Sequence, residues 1–265
     1  MSMCGIAGVY GNKAIVKALI IILNQLERGT QGCGIAWIKR KKIKIMKEPI
    51  HPTDFVLRNY KRLDTRAKIA IAHNRLPSAG KVSYENTHPF MACNREFALV
   101  HNGHVFNGHL RRKLKAEGHR IMGQTDSEVL THVLEDLVME YGDMVEALKE
   151  LAEDYLVGAI LVLTKDGKLY GVKSGGYPLH YAEVDGEIYL GSTERAVKAV
   201  CGKSAKIKEL KEGQIAEVDR GVLKIHGEPK ERPKVSVNDY DLSPFYGIRR
   251  KSLWEEWFNE WANGY

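Results

Sequence analysis

Apolar positions along the chain alternate between two periodicities. The run "CGIAGVYG" (residues 4–11) is short and almost wholly apolar and predicts a buried strand, whereas "AIVKALIIILNQL" repeats its apolar residues near helical spacing and predicts a helix from about Lys13 to Arg28. Strands are expected at 33–39 and 42–47, a helix near 53–63, and further strands at "KIAIAHNR" (68–75) and "FALVHNG" (97–103). The segment "TDSEVLTHVLEDLVMEY" opens with Thr125 and Glu128 in capping-box spacing, which puts Asp126 in the first turn of a long helix. A second helix at 143–154 leads into "GAILVLTKDGKLYGVK" and "LHYAEVDGEIYLGS", each read as two strands around the turns "KDGK" and "VDGE". A short helix at 193–200 and strands reaching about residue 226 complete the set. Strands in antiparallel groups with helices in two blocks predict an α+β fold rather than a doubly wound parallel sheet.

Composition narrows the function. With 265 residues and 44% apolar content the chain suits one large domain, or one domain with an appendage. No apolar run approaches the roughly twenty residues needed to span a bilayer, and no signal peptide is visible, so a cytoplasmic protein without a membrane role is expected. The net charge of +7, from 40 basic and 33 acidic residues, is spread along the chain. Its one dense run, "KRKKIK" (Lys39–Lys44), reads as a solvated hairpin; no aromatic residues interleave to stack bases, so no nucleic-acid partner is expected. Cys4, Cys33, Cys93 and Cys201 form no C-x-x-C pair, which argues against a zinc knuckle or redox dithiol. Cys33, Cys93 and Cys201 are read as small core residues.

Four separated pieces require a joint explanation: "CGIAG" at Cys4–Gly8, "HNRLPSAG" at His73–Gly80, "HNGHVFN" at His101–Asn107 and "TDSE" at Thr125–Glu128. In this order and spacing they resemble the glutaminase domain of the class II glutamine amidotransferases, within the N-terminal-nucleophile (Ntn) hydrolase superfamily. Arg28-Gly29 and "GSTERAV" (191–197) add to the resemblance, which extends over roughly residues 4–225. It implies a four-layer αββα sandwich of two antiparallel sheets. It also implies an activity, hydrolysis of the L-glutamine side-chain amide to glutamate and ammonia through a thioester, and requires no cofactor and no metal.

The resemblance assigns roles residue by residue. Cys4 supplies the thiol nucleophile and, through its own α-amine, the base; that amine, with a pKa of about 7.7–8.0, is substantially unprotonated near neutrality. The Asn102 side-chain amide and the Gly103 backbone N–H hold the oxyanion. Arg75 takes the substrate α-carboxylate through a bidentate fork, with Ser78 assisting, and Asp126 faces the α-ammonium. His73 and His101 lie inside the motifs, yet nothing in the chemistry asks them to ionise, and both are read as structural. With Met1, Ser2 and Met3 attached, the Cys4 nitrogen is an amide. The expectation is that translation begins at Met3 or that a tripeptide is cleaved, the first being the simpler account.

The chain departs from the family pattern at Gln31, where an aspartate is usual, and at Leu76-Pro77, where many relatives carry an aromatic residue after the substrate arginine. "KSGGYPL" (173–179) lacks the Asp-Ser of a pyrophosphatase loop and is dismissed. The domain is placed at 4–227 and an extended tail at 228–265, ending in a helix whose Trp254, Trp257, Phe258 and Trp261 share one face. That helix is either a staple on the domain or a docking element for an ammonia-accepting synthase subunit, since a tail of this length cannot hold a second catalytic domain. Two other readings stay open: an N-terminal-cysteine hydrolase of another γ-glutamyl amide, and a non-catalytic glutamine-sensing subunit.

Overall fold

Two antiparallel ladders account for the strand pattern. The computed structural model describes residues 4–76, 80–105, 108–202 and 204–230. The first ladder contains β1 (Gly5–Tyr10), β2 (Cys33–Lys39), β3 (Lys42–Glu48), β4 (Ile69–Asn74), β9 (His180–Val184), β10 (Glu187–Gly191) and β11 (Lys208–Glu209), in the order β11-β9-β10-β1-β4-β2-β3. The second contains β5 (Phe90–Met91), β6 (Phe97–His104), β7 (Val157–Thr164), β8 (Leu169–Ser174), β12 (Ile215–Asp219) and β13 (Val222–His226), in the order β13-β12-β8-β7-β6-β5. Adjacent strands throughout both sheets are antiparallel.

Side chains alternate between the faces of a strand, and the core divides accordingly. Ile6, Ala36, Ile69 and Ile71 of the first sheet pack against Val100, Leu161 and Leu163 of the second, forming the layer between the sheets. The outer face of the first sheet, with Ala7, Val9 and Ile35, is covered by α1 (Ala14–Leu23), α2 (Pro52–Asn59) and α6 (Glu194–Cys201). The outer face of the second, with Leu99, Ile160 and Val162, is covered by α3 (Gly108–Ala116), α4 (Asp126–Tyr141) and α5 (Met144–Asp154). The result is the αββα sandwich expected. No described helix is long and apolar enough to cross a membrane.

Several elements differ from expectation, each for a local reason. The first helix stops at Leu23, because Gln25 turns inward: its buried side chain donates to Ile6 O at 3.0 Å and its carbonyl accepts from Asn74 Nδ2 at 3.0 Å. Helix α3 was not expected, since "GHLRRKLKA" offers only Leu110 and Leu114 as an apolar stripe. The capping box at α4 marks the right start with different bonds. Thr125 Oγ1 has no partner among the described residues, and Glu128 instead accepts from Met122 N at 2.9 Å and Gly123 N at 2.7 Å. Of the cysteines expected inside, Cys33 is buried and Cys201 half-buried, but Cys93 is exposed. The Trp-rich tail helix lies outside the described residues.

The basic run forms the β2–β3 hairpin, with Lys39 opposite Lys42. Its two-residue turn places Arg40 at φ 50° and Lys41 at φ 57°, the left-handed geometry of a type I′ turn with no glycine to relieve it. Replacing Lys41 with glycine removes the Cβ strain, partly offset by a larger loss of backbone entropy. Lys41→Gly is therefore expected to stabilise the fold by about 0.5–1 kcal/mol, read from urea unfolding midpoints at constant m.

Candidate active site

The first strand begins where the fourth ends, because the β1–β4 ladder pairs Gly5 with Asn74. That register brings Cys4 to the Arg75–Leu76 peptide. Leu76 N–H donates to Cys4 Sγ at 3.3 Å, and the thiol donates to Leu76 O at 3.5 Å. The peptide is itself fixed, since Arg75 N donates to Gly32 O at 2.8 Å and Gln31 N donates to Arg75 O at 3.0 Å. Gln31 thus acts through its backbone, and its side chain is exposed. Gly29 passes so close that a Cβ there would stand 2.3 Å from the Arg75 carbonyl carbon. Arg28 Nε holds Cys4 O at 2.8 Å, which explains the Arg-Gly pair. Glycine is likewise needed at position 5, where a Cβ would meet Asn74 Oδ1 at 2.0 Å.

Strand parity then sets what faces the thiol. Ile6 of β1 points into the layer between the sheets, so Cys4, two residues earlier, lies on the same side. Val100 of β6 also points there, and Asn102 follows it by two. Asn102 is fully buried, yet neither its Oδ1 nor its Nδ2 has a hydrogen-bond partner among the described residues. At the next position a Cβ on Gly103 would stand 2.1 Å from Val157 O, so no side chain fits.

Asp126 closes the other side. As the first residue of α4 it accepts from Val105 N at 2.7 Å and Ser127 N at 2.9 Å, tying the helix to the chain just beyond β6. Arg111, on the unexpected α3, donates to Gly123 O at 2.8 Å and Thr125 O at 2.7 Å and fixes the approach to Asp126. Arg75 donates to Lys81 O at 2.9 Å and Gly80 O at 3.4 Å. Asn86 links that loop to α4 by donating to Lys81 O at 3.0 Å and accepting from Gln124 N at 2.6 Å. Ser78 lies outside the described residues.

Burial pushes the Cys4 thiol up from its ordinary pKa; the Leu76 N–H and the Arg75 and Arg28 charges oppose this, and Asp126 adds to it. The two guanidinium charges and the Asp126 carboxylate thus all act on the Cys4 thiol. Tyr177 belongs to the same group: burial raises its phenol, with Asp126 and Cys4 acting in the same direction, and its hydroxyl is 3.2 Å from His104 Nδ1. Sequence reasoning missed Tyr177, which sits in the dismissed "KSGGYPL". An open cleft of about 580 Å³ involving Tyr10, Arg40, Arg66 and Arg220 is at the far end of β1 and takes no part.

Behind the site, His73 Nε2 meets His101 O at 3.2 Å, His101 Nδ1 meets Ser127 Oγ at 3.0 Å, and the His88 ring stacks on His73 with centroids 3.8 Å apart. Burial holds His73 down to about 3 and His101 to about 4, and holds His88 well below its ordinary value. All three are neutral packing groups near pH 7, in keeping with the structural role expected for His73 and His101.

The sequence model described as glutamine amidotransferases class-II matches residues 20–190, a stretch that contains Arg75, Asn102, Gly103 and Asp126 and begins after Cys4. A glutamine–fructose-6-phosphate aminotransferase (isomerizing) of Aquifex aeolicus is 31% identical over 91% of this chain and 40% of its own length. An amidophosphoribosyltransferase of Methanocaldococcus jannaschii is 30% identical over 84% of this chain and 49% of its own length. The chain therefore spans less than half the length of these curated relatives. Among solved structures, a glutamine phosphoribosylpyrophosphate amidotransferase from B. subtilis superposes with a TM-score of 0.70 at 22% identity, covering 84% of this chain and 49% of that one. A glutamine aminotransferase class-II domain protein from Silicibacter pomeroyi gives 0.56 at 16% identity, covering 86% of this chain and all of its own, 100%. At such identities the two structures speak for the fold alone.

Two outcomes follow from this geometry. Gly29→Ala forces its Cβ against the Arg75 peptide and is expected to cost about 1–3 kcal/mol of stability in urea unfolding. The buried histidines refuse protons that the unfolded chain accepts below about pH 6.5. Stability is then fully present above that pH and is lost as pH falls towards 4, by up to about 1.4 kcal/mol per pH unit for each imidazole. Urea unfolding between pH 7 and 5 should show this slope, and His88→Leu should reduce it by the share of one imidazole; a flat profile in the parent contradicts the account.

Proposed function

Because the chain belongs to the class II glutamine amidotransferases, we propose that it hydrolyses the side-chain amide of L-glutamine to glutamate and ammonia, with Cys4 as nucleophile. One observation above all supports this: the Cys4 thiol is bracketed by the Leu76 backbone on the side where Asn102 offers a buried amide that has no partner among the described residues.

In this reading the free α-amine of Cys4 takes the thiol proton and the sulfur attacks the glutamine carbonyl. A thiol whose pKa burial has raised is almost wholly protonated at neutral pH, so a base is needed. Negative charge on the former carbonyl oxygen is met by Asn102 Nδ2–H and the Gly103 N–H. Ammonia leaves with a proton returned by the α-ammonium, and water releases glutamate from the thioester. Arg75, already oriented by the Gly80 and Lys81 carbonyls, receives the α-carboxylate with the help of Ser78, and Asp126 receives the α-ammonium. The Tyr177 hydroxyl lines the same space. No cofactor is required, and we place the reaction in the cytoplasm, where a reducing medium keeps the nucleophile a thiol.

The Aquifex aeolicus relative is named for an aminotransferase acting between glutamine and fructose-6-phosphate, and more than half of its length lies outside the aligned stretch. By extension we propose that the ammonia made here passes to an acceptor on a separate synthase subunit.

The chemistry demands that no residue precede Cys4 in active material, because an amide nitrogen cannot serve as the base; losing a general base costs about 10²–10⁴ in rate. Intact-mass analysis of active protein is expected to find Cys4 first, and an active chain still carrying Ser2-Met3 sinks the scheme. With that terminus verified, Cys4→Ala should abolish ammonia release. Asn102→Ala should lower kcat by about 10²–10³, the usual cost of one oxyanion donor. Arg75→Ala and Asp126→Ala should act mainly on KM for glutamine, and an unchanged KM in both refutes the substrate assignment. Faster turnover of glutathione than glutamine would favour another γ-glutamyl amide. No ammonia from correctly processed protein would favour a sensing role.

A further inference from the structure

Away from Cys4, four metal-ligating side chains converge. Cys93 lies in the turn between β5 and β6, and His119 in the loop after α3. His132 and Glu135 are three residues apart on α4, which puts them on one helix face. One ligating atom from each of the four lies within 4.8 Å of the other three. Cys93 Sγ stands 3.6 Å from His132 Nδ1, His132 Nδ1 stands 3.1 Å from Glu135 Oε2, and His119 Nδ1 stands 3.4 Å from that same oxygen.

These separations have a simple meaning. Around a tetrahedral zinc ion, with sulfur at about 2.3 Å and nitrogen or oxygen at about 2.0–2.1 Å, neighbouring ligand atoms stand about 3.2–3.6 Å apart. We propose that Cys93, His119, His132 and Glu135 bind one zinc-class divalent cation in a closed tetrahedral site that fastens α4 to the β5–β6 turn and the α3–α4 loop.

Beyond the hydrogen bonds within the cluster, its surroundings suit a ligand set. His119 Nδ1 is buried and has no hydrogen-bond partner among the described residues, while its Nε2 is 2.9 Å from the Asp136 carboxylate. A carboxylate on the far ring nitrogen is the usual outer support of a metal-bound histidine. Arg120 N donates to Cys93 Sγ at 3.3 Å and holds the sulfur in place. Cys93 N and Asn94 N donate to Glu135 at 2.9 and 2.8 Å and set its orientation. Thiolate and carboxylate together neutralise a dication, and binding releases the Cys93 thiol proton to solvent.

The site is separate from the glutaminase machinery. His132 is six residues along α4 from Asp126, about 9 Å of helix rise, and Cys93 precedes the start of β6 whereas Asn102 lies near its end. With four protein ligands no position is left for a substrate, so the role is structural. The exposed Cys93 thus has a use that the reading of it as a core residue did not supply.

The test uses the full chain, stripped with EDTA and titrated with zinc or cobalt(II). One equivalent of zinc should survive dialysis and raise Tm. Cobalt should give intense tetrahedral d–d bands with a thiolate-to-cobalt charge-transfer band, retained in Cys4→Ala and lost in Cys93→Ser. Asp136→Asn, which alters a half-exposed outer carboxylate and spares the fold, should weaken zinc affinity about 10–100-fold. Failure to retain zinc, an unchanged Tm on adding it, a weak octahedral cobalt spectrum, or a charge-transfer band that persists in Cys93→Ser overturns the proposal.

Discussion

The peptide joining Arg75 to Leu76 is the constraint on which the rest of the site depends. It leaves β4 at the point where β1 begins, and four neighbours fix it from different parts of the chain. Gly32 and Gln31 bond to Arg75, Gly29 packs flat against its carbonyl carbon, and Cys4 bonds to both polar groups of Leu76. Its orientation aims the Arg75 side chain at the loop carbonyls of Gly80 and Lys81 while its far end holds the sulfur. The Cys4 thiol and the Arg75 guanidinium are therefore positioned by one unit. A glycine at 29 is the condition for it, because any Cβ there would overlap the peptide.

Around that unit the sandwich does the long-range work. Antiparallel order brings the start of β1, the end of β4, the end of β6 and the start of β7 to one rim, since Gly5 pairs with Asn74 and His104 with Val157. Parity then turns Cys4 and Asn102 into the space between the sheets. Helix α4 begins at this rim, and Asp126 is bonded to Val105, so a residue of the helical layer joins a site built from two sheets. Cys4, Asn102 and Asp126, far apart in sequence, are thus carried to one rim by regular elements.

Much of this was legible in the chain and some was not, for physical reasons. Hydrophobic periodicity located the buried strands and α1, α4 and α5, because burial on one face leaves a repeating trace. The motif residues were legible because their chemistry is unusual for turns and strand ends. Helix α3 left little trace: two leucines among four basic residues and one histidine resemble a solvated loop, and what holds it is Leu114 in the core and the two bonds from Arg111. Tyr177 was hidden because a lone tyrosine after two glycines carries no local signature; only the fold brings it to Asp126 and Cys4. The spacing of Thr125 and Glu128 marked a helix start, but Glu128 instead satisfies the N–H groups of Met122 and Gly123 in the preceding turn, the second of them buried beside Asn86. Cys93, His119, His132 and Glu135 come from three elements, and no linear spacing could announce them.

Helix α4 connects these observations. Asn102 leaves a buried amide unpaired, and each such unmet polar group costs about 1–3 kcal/mol relative to a satisfied one. Gly103 admits no side chain to fill the space, so the cost cannot be relieved locally. Rigidity has to come from neighbours, and α4 is the principal one. Its first turn is bonded to the chain after β6 through Asp126, Ser127 reaches His101 on the back of β6, and Glu135 holds the turn that leads into the same strand. The helix thus holds β6, the strand that carries the amide, near both ends and in the middle. In the reaction we propose, this amide is the donor that meets the charge appearing on the substrate oxygen, and a donor already in place needs no reorganisation.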